Sequence, residues 1–366
     1  MRYQSPKNKD KNDETGIAFS PCDDAPGRDA DLWFVPAEEA AFSGDDPFAM
    51  PGPRADHRRL TDPAAWRKAE ASHAADLARA AGALSALDQA CRHVPGSGAG
   101  ERLALIEIEA MLWAAGARIP RERIGQHLRA AGGVSGDPAA LAEARWAMRR
   151  LSDRPGPLPD LRGFLGLHRV DVPALADTLL LRPVGAEFDL AAEAFGEGMA
   201  ELADSHPITR AAYCFALWPV AGLSHAEALV EPAVAAARIA GSENRSLGFA
   251  PLAPGRDVWR QGASIADRLS RWIAATRSGA QTAMLELDRI TVWAAAARAA
   301  TSGINGTSPS KLIEALTARP ILTTQDAACL AGISRASAER MLGRMQSMNV
   351  VREITGQGRF RLWTAR

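Results

Sequence analysis

Residues 332–363 read GISRASAERMLGRMQSMNVVREITGQGRFRLW. Gly332 supplies the positive φ that a tight turn between two helices requires. Ser334 is a helix N-cap. From Arg335 to about Met348, Ala338, Met341, Leu342 and Met345 recur at helical spacing and define an apolar side. Arg335, Ala336, Glu339, Arg340, Gly343 and Ser347 spread over the opposite side, and Asn349 ends the helix. Two β-type runs follow, Val350–Ile354 and Arg359–Trp363, around the four-residue turn Thr355-Gly356-Gln357-Gly358. That pattern predicts a hairpin.

Upstream, Lys311 to Ala318 reads as a short amphipathic helix stopped by Pro320, and Ile321-Leu322 is short and extended. Thr323 stands three residues before Asp326, a capping arrangement that opens a second helix through Leu330. Helix, helix, turn, helix, hairpin is the order of a winged helix-turn-helix. In that geometry the third helix enters the major groove of DNA and the hairpin lies near a phosphate backbone. The expected groove contacts are Arg335, Ala336, Ser337 and Arg340, with Ser334 beside them at the helix start. Arg344, Arg359 and Arg361 are expected at phosphates. Charge agrees with this. From Thr307 to Arg366 there are nine Lys/Arg and four Asp/Glu, a balance of +5 in a chain whose formal net charge is +0. Winged helices also serve as protein-interaction modules, so an antitoxin-like interaction role stays open.

Outside this segment the 366-residue chain, 47% hydrophobic and 23% charged, has the composition of a protein with a real core. Alanine is abundant and β-branched residues are sparse before the last fifty positions, which favours helix. The fold class expected is mainly α: a multi-helical domain followed by the winged helix-turn-helix. Residues 1–58 read as a polar tail and extended arm, 59–303 as the helical domain and 307–366 as the C-terminal domain. Asp62-Pro63 opens a long alanine-rich helix to about His93. Pro95-Gly96-Ser97-Gly98 is a loop, and Arg102–Ala117 is helical. Pro120 opens a helix ended by Gly132-Gly133, and Asp137-Pro138 one to about Leu151. Residues 152–170 read as irregular. Further helices start near Pro173, Leu190, Pro207 and Ser224, and residues 241–258 form another break. Ala263–Ala300 is helical again, on one helix or on two with a bend near Gly279. Its face of Leu269, Trp272, Ile273, Leu285, Leu287, Ile290 and Trp293 is a candidate seam for a homodimer.

Other features predict scaffold. Trp113, Trp146, Trp218 and Trp293 lie on apolar faces and read as core. Cys22, Cys91, Cys214 and Cys329 lack zinc or redox spacing and read as small apolar groups in a reducing cytoplasm. His168, His206 and His225 have no metal-ligand spacing, and His206-Pro207 reads as a capped helix start. Gly96-x-Gly98-x-Gly100 follows no strand. No apolar run approaches the length of a membrane span, and no signal-peptide pattern is present. No cofactor is expected, and the partners expected are double-stranded DNA and a second copy of the chain, with no membrane.

At residues 332–363, and also at LWFVP (32–36), RLALIEIEAMLWAAGARIP (102–120) and HPITRAAYCFALWPVAGL (206–223), the chain resembles an alphaproteobacterial domain-of-unknown-function family. Its members have a helical N-terminal domain and a C-terminal helix-turn-helix. The resemblance implies a DNA-binding transcriptional regulator. The tail also looks like the winged helix that ends many Fic-domain proteins, which transfer a nucleotide monophosphate through a His-Pro-Phe motif and an Asp/Glu-Gly-Asn-Gly-Arg loop. The comparable stretch here, Trp218-Pro219-Val220-Ala221-Gly222-Leu223-Ser224-His225, has neither the histidine before the proline nor the Gly-Asn-Gly-Arg residues. That likeness implies at most a divergent nucleotidyltransferase, and the expectation is that the chain is not an enzyme.

Overall fold

The computed structural model describes residues 60–366 apart from 95, 97, 130–135, 153–155, 168–181, 226, 254–255, 260–263 and 357–360. The expected arm, the helix expected from Pro173, Cys22, His168 and Arg359 therefore lie outside the described residues. The fold is mainly helical, with thirteen α-helices and three short strands among the described residues. No described helix is long and apolar enough to cross a membrane.

Asp62 accepts a hydrogen bond from the Ala64 N–H and Pro63 occupies the first helical position, so α1 (Pro63–Ser72) begins as read. The long helix expected to His93 is interrupted at His73, whose φ −107°, ψ 14° leaves the helical region. α2 (Ala74–Arg92) then continues. α3 (Gly98–Ala114) begins four residues earlier than expected and absorbs Gly98. A Cβ on Gly98 would strike the Thr317 carbonyl and the Ala318 backbone, so glycine is what lets this helix end meet the C-terminal segment. α4 (Arg121–Arg129) and α5 (Pro138–Ser152) follow. The stretch read as irregular holds one short helix, α6 (Leu161–Leu165), capped by Asp160 and closed by Gly166 at φ 81°.

α7 (Gly185–Ala200) and α8 (Pro207–Val220) lead to α9 (Val230–Ala240). α9 starts later than Ser224 because Gly222 turns the chain at φ 70° after α8. Nearly all of α9 is buried. Its alanines let α8 and α5 pack closely against it, and neighbouring helices α2, α3 and α7 complete one large apolar core around Trp66, Ile108, Phe188, Trp218 and Phe249.

α10 (Ile265–Thr301) is a single 37-residue helix. It is unbroken at Gly279. A Cβ there would run into the Pro251 carbonyl, so the glycine serves close packing of a loop on the helix. α10 crosses two cores. Leu269, Trp272, Ile273 and Leu287 belong to the first; Ile290, Trp293, Ala294 and Ala297 belong to a second, C-terminal one. Apart from Leu285, which is 69% exposed, the face offered as a dimer seam is thus buried within the chain, from Leu269 at 0% exposure to Trp293 at 9%. That placement of the seam is corrected. Trp113 is corrected as well. It is 41% exposed, at the outer end of α3, under the guanidinium of Arg118. The buried side of α3 is already filled by Leu105, Ile108, Met111 and Leu112.

The second core is enclosed by α11 (Ser308–Ala318), β1 (Leu322–Thr323), α12 (Thr324–Ala331), α13 (Arg335–Ser347), β2 (Val351–Glu353) and β3 (Leu362–Ala365). The strands form one antiparallel sheet of order β1-β3-β2, in which Thr323 pairs with Leu362 and Glu353 with Trp363. The hairpin differs from its reading. Its second strand, Leu362–Ala365, runs two residues past the expected end at Trp363 and pairs with β1 as well as β2, while Arg359 and Phe360 lie outside the described residues.

This segment is not loosely attached. Arg102, 8% exposed, donates to the Leu316 carbonyl (3.2 Å) in the last turn of α11, where a cation offsets the negative end of the helix. Gln126 donates to the Ile354 carbonyl at 2.7 Å, Arg352 pairs with Glu122 at 3.1 Å, and Trp293 donates to the Val350 carbonyl at 2.8 Å. Ile321 and Leu362 pack into the first core.

Candidate nucleic-acid interface

The turn between α12 and α13 is built by short-range chemistry. Thr323 and Asp326 make a reciprocal capping box: the Thr323 hydroxyl accepts from the Asp326 N–H (2.9 Å), and the Asp326 carboxylate accepts from the Thr323 N–H (3.3 Å). Gly332, at φ 60°, closes α12 in the left-handed region. Ser334 then caps α13 by accepting from the Ser337 N–H at 3.2 Å, while its hydroxyl donates to the Ser337 hydroxyl at 2.9 Å. Asn349, at φ 60°, reverses the chain after α13.

α13 has two chemically distinct sides. Ala338, Leu342 and Met345 are buried against α11 and α12, and Met341 is half-buried. Ser334, Arg335, Ala336, Arg340 and Arg344 are exposed and Ser337 is half-buried. The Arg340 Nε makes one long hydrogen bond, 3.4 Å, to the Ala336 carbonyl on its own helix. Among the described residues, Arg335, Arg340 and Arg344 have no carboxylate within salt-bridge distance. Six of the eight expected contact residues thus share the start and outward side of one helix. The serines are engaged in the cap, which leaves the arginines as the groups with spare donors.

The hairpin is different. Arg361 is half-buried and lies close enough to Glu353 to influence its ionisation. Partial burial disfavours the Glu353 charge, but the Thr355 hydroxyl and N–H, the Gly356 N–H and the Arg361 guanidinium together hold its pKa below the usual carboxylate value. Glu353 therefore organises the start of the loop, taking the Gly356 N–H at 2.9 Å. Nothing in the sequence pattern singled it out beyond its place before a Thr-Gly turn. No family model matches this chain. A search of curated proteins finds no match either. The residues of the interface thus stand on their geometry.

The remaining candidates resolve into local structure. The His206 Nδ1 accepts from the Ile208 N–H at 3.1 Å as the N-cap of α8, and burial lowers its pKa against the opposing pull of Glu243 and Glu70. In the loop from Trp218 to His225, the Trp218 indole donates to the Ser224 hydroxyl at 2.7 Å, and Leu223 is fully buried. Cys91 and Cys214 are buried, and burial pushes the Cys91 thiol up to about 12. Cys329, read as a small apolar group, is exposed: α12 buries Thr324, Ala327, Ala328 and Ala331, which turns Cys329 and Leu330 outward. Among the described residues no group of His, Cys, Asp and Glu has the arrangement of a metal site.

Proposed function

We propose that residues 307–366 are a winged helix that binds double-stranded DNA, and that the chain acts as a transcriptional regulator. The observation that carries this reading is the outward side of α13, where Arg335, Arg340 and Arg344 project without an acidic partner beside a capped tight turn. A guanidinium in that position is suited to bidentate contact with guanine or phosphate. α13 lies in the major groove in this reading, with Arg335 and Arg340 nearest the bases and Arg344 toward a phosphate. Two copies on two half-sites would supply the specificity that one short helix lacks. The buried face of α10 takes no part in that pairing.

The test is fluorescence anisotropy of the full chain on a duplex chosen by selection from random sequence, against a scrambled duplex, across a salt series. Arg340→Ala is expected to cost ~1–3 kcal/mol on the selected duplex and to shrink the selected-to-scrambled ratio. Arg344→Ala is expected to weaken both duplexes alike and to reduce the salt slope by about one. If neither variant changes either quantity, the reading fails and a protein partner for the same helix takes its place.

A further inference from the structure

A cavity of about 890 Å³ opens between the end of α2, the start of α3, the end of α4, α5 and the loop after α9. It is far from the outward side of α13 in sequence and shares no lining residue with it. Its volume falls in the range of small-molecule sites, roughly 300–1,000 Å³. Its lining does not resemble an ordinary surface groove. Among the described residues six arginines face it, Arg92, Arg129, Arg145, Arg149, Arg238 and Arg319, against the one carboxylate of Glu101.

The described acidic groups at hand are already committed. Glu101 pairs with Arg129. Asp88 pairs with Arg92 at 3.3 Å and also takes the N–H groups of Arg245, Ser246 and Leu247, contacts that hold it ionised below the usual carboxylate value despite its burial. Among the described residues Arg145 donates to the His127 carbonyl at 3.0 Å. Among the described residues Arg145, Arg149 and Arg319 have no carboxylate in salt-bridge range. Arg145 and Arg149 are one turn apart on α5, so both guanidinium groups reach the same space. Arg319, directly after α11, also lines it, as does Arg238, 5% exposed and anchored to the Leu151 and Gly248 carbonyls. Val94, Leu151 and Phe249 give the floor an apolar part.

Converging guanidinium groups around a concave, partly apolar space match a small anion with several oxygens and an organic body. A duplex backbone is convex and cannot follow such walls inward. We infer that this cavity binds a small phosphorylated molecule of nucleotide size, with its phosphates on Arg145, Arg149 and Arg319. The site joins the helical body to the C-terminal segment, because Arg319 follows α11 while α3 starts against Thr317 and Ala318. A ligand there would bridge the two.

The experiment is titration calorimetry of the full chain with inorganic pyrophosphate, ADP and adenosine. Pyrophosphate and ADP are expected to bind one to a chain, and adenosine at least tenfold more weakly. Arg149→Ala and Arg319→Ala, both away from the cores, are each expected to weaken ADP at least tenfold, while Arg149→Lys retains part of the affinity. Arg340→Ala and Arg344→Ala are expected to leave ADP binding unchanged, which separates this site from the DNA reading whether or not that reading holds. Absence of heat at millimolar pyrophosphate and ADP overturns the inference. So does full ADP affinity in the Arg149→Ala/Arg319→Ala double variant, or loss of ADP binding on adding duplex together with loss in Arg340→Ala, which would assign the anion to the DNA surface.

Discussion

The outward side of α13 and the β2–β3 hairpin carry the same arginine chemistry but hold it differently. On α13, Arg335 and Arg344 stand in solvent and Arg340 leans only on its own helix. On the hairpin, Arg352 is paired with Glu122 of α4, Arg361 lies by Glu353, and Arg366 donates to Asn349. Counting charges along residues 307–366 treats these groups as equals. The structure separates them: the helix presents its cations outward, whereas the hairpin spends part of its own on fastening itself to the helical body. A hairpin held this way has fewer uncommitted cations to offer than the outward side of α13.

The largest effect expected from breaking that attachment is at Trp293. Its indole is 9% exposed and donates to the Val350 carbonyl at the root of β2. Trp293→Ala should cost ~3–5 kcal/mol in urea denaturation, from lost packing and an orphaned carbonyl. A loss under ~1 kcal/mol would mean that the hairpin is not anchored through α10.

Titration contrasts the body with the hairpin. Glu107 of α3 is fully buried, and burial raises its pKa to about 7 even though it accepts the Leu252 and Ala253 N–H groups at 3.0 Å. A carboxyl whose folded pKa lies above its unfolded value favours the folded state at low pH, and this is lost as pH rises through about 7. Stability should therefore fall by about 3 kcal/mol from this group between pH 5 and pH 8, and Glu107→Gln should flatten that slope. Glu353 acts in the opposite sense. Its lowered pKa stabilises the fold above the usual carboxylate range and is lost as the medium is acidified. Amide exchange of Thr355 and Gly356 should therefore speed up in acid relative to the helical body, after correction for the intrinsic rate. A uniform response of both regions would sink this contrast.

Smaller effects sharpen the comparison. Gln126, 7% exposed, holds the Ile354 carbonyl, and Gln126→Ala should cost ~1–2 kcal/mol by thermal denaturation. Arg352→Ala removes an ion pair whose side chains are 53% and 40% exposed. It should change stability by less than ~1 kcal/mol and fade further in high salt. An Arg352→Ala cost exceeding that of Gln126→Ala would show that charge, not the buried amide, fixes the hairpin.

The legible parts of this molecule are those governed by neighbours in the chain. Thr323 with Asp326, Gly332, Ser334 and the spacing of Ala338, Leu342 and Met345 all act within about four residues, and each is placed as its chemistry requires. The same holds for Asp62-Pro63 and His206-Pro207. What escaped depends on distant partners. Gly279 looked like a bend because nothing in α10 announces that Pro251 rests on it. The pairing of β3 with Leu322 and Thr323 joins residues about forty positions apart in sequence. Trp113 has a core residue's chemistry but stands where α3 has no more neighbours to bury it. Of the interface, the helix was readable from pattern, whereas the fastening of Arg352 to Glu122 was not, since ion pairs between remote segments leave no local mark.

The single helix that crosses both cores also imposes an order of events during synthesis. α10 is complete at Thr301, but the cluster that covers Ile290, Trp293 and Ala297 is not closed until Trp363 has been made. At roughly 5–20 residues per second on a ribosome, that apolar strip waits several seconds for its cover. The first half of α10 already has its neighbours by then, so the nascent chain carries a folded body with one sticky helical spur. A pause in translation between those two points would lengthen the exposure, and a chain broken off there would be a natural client for a chaperone that grips apolar helices.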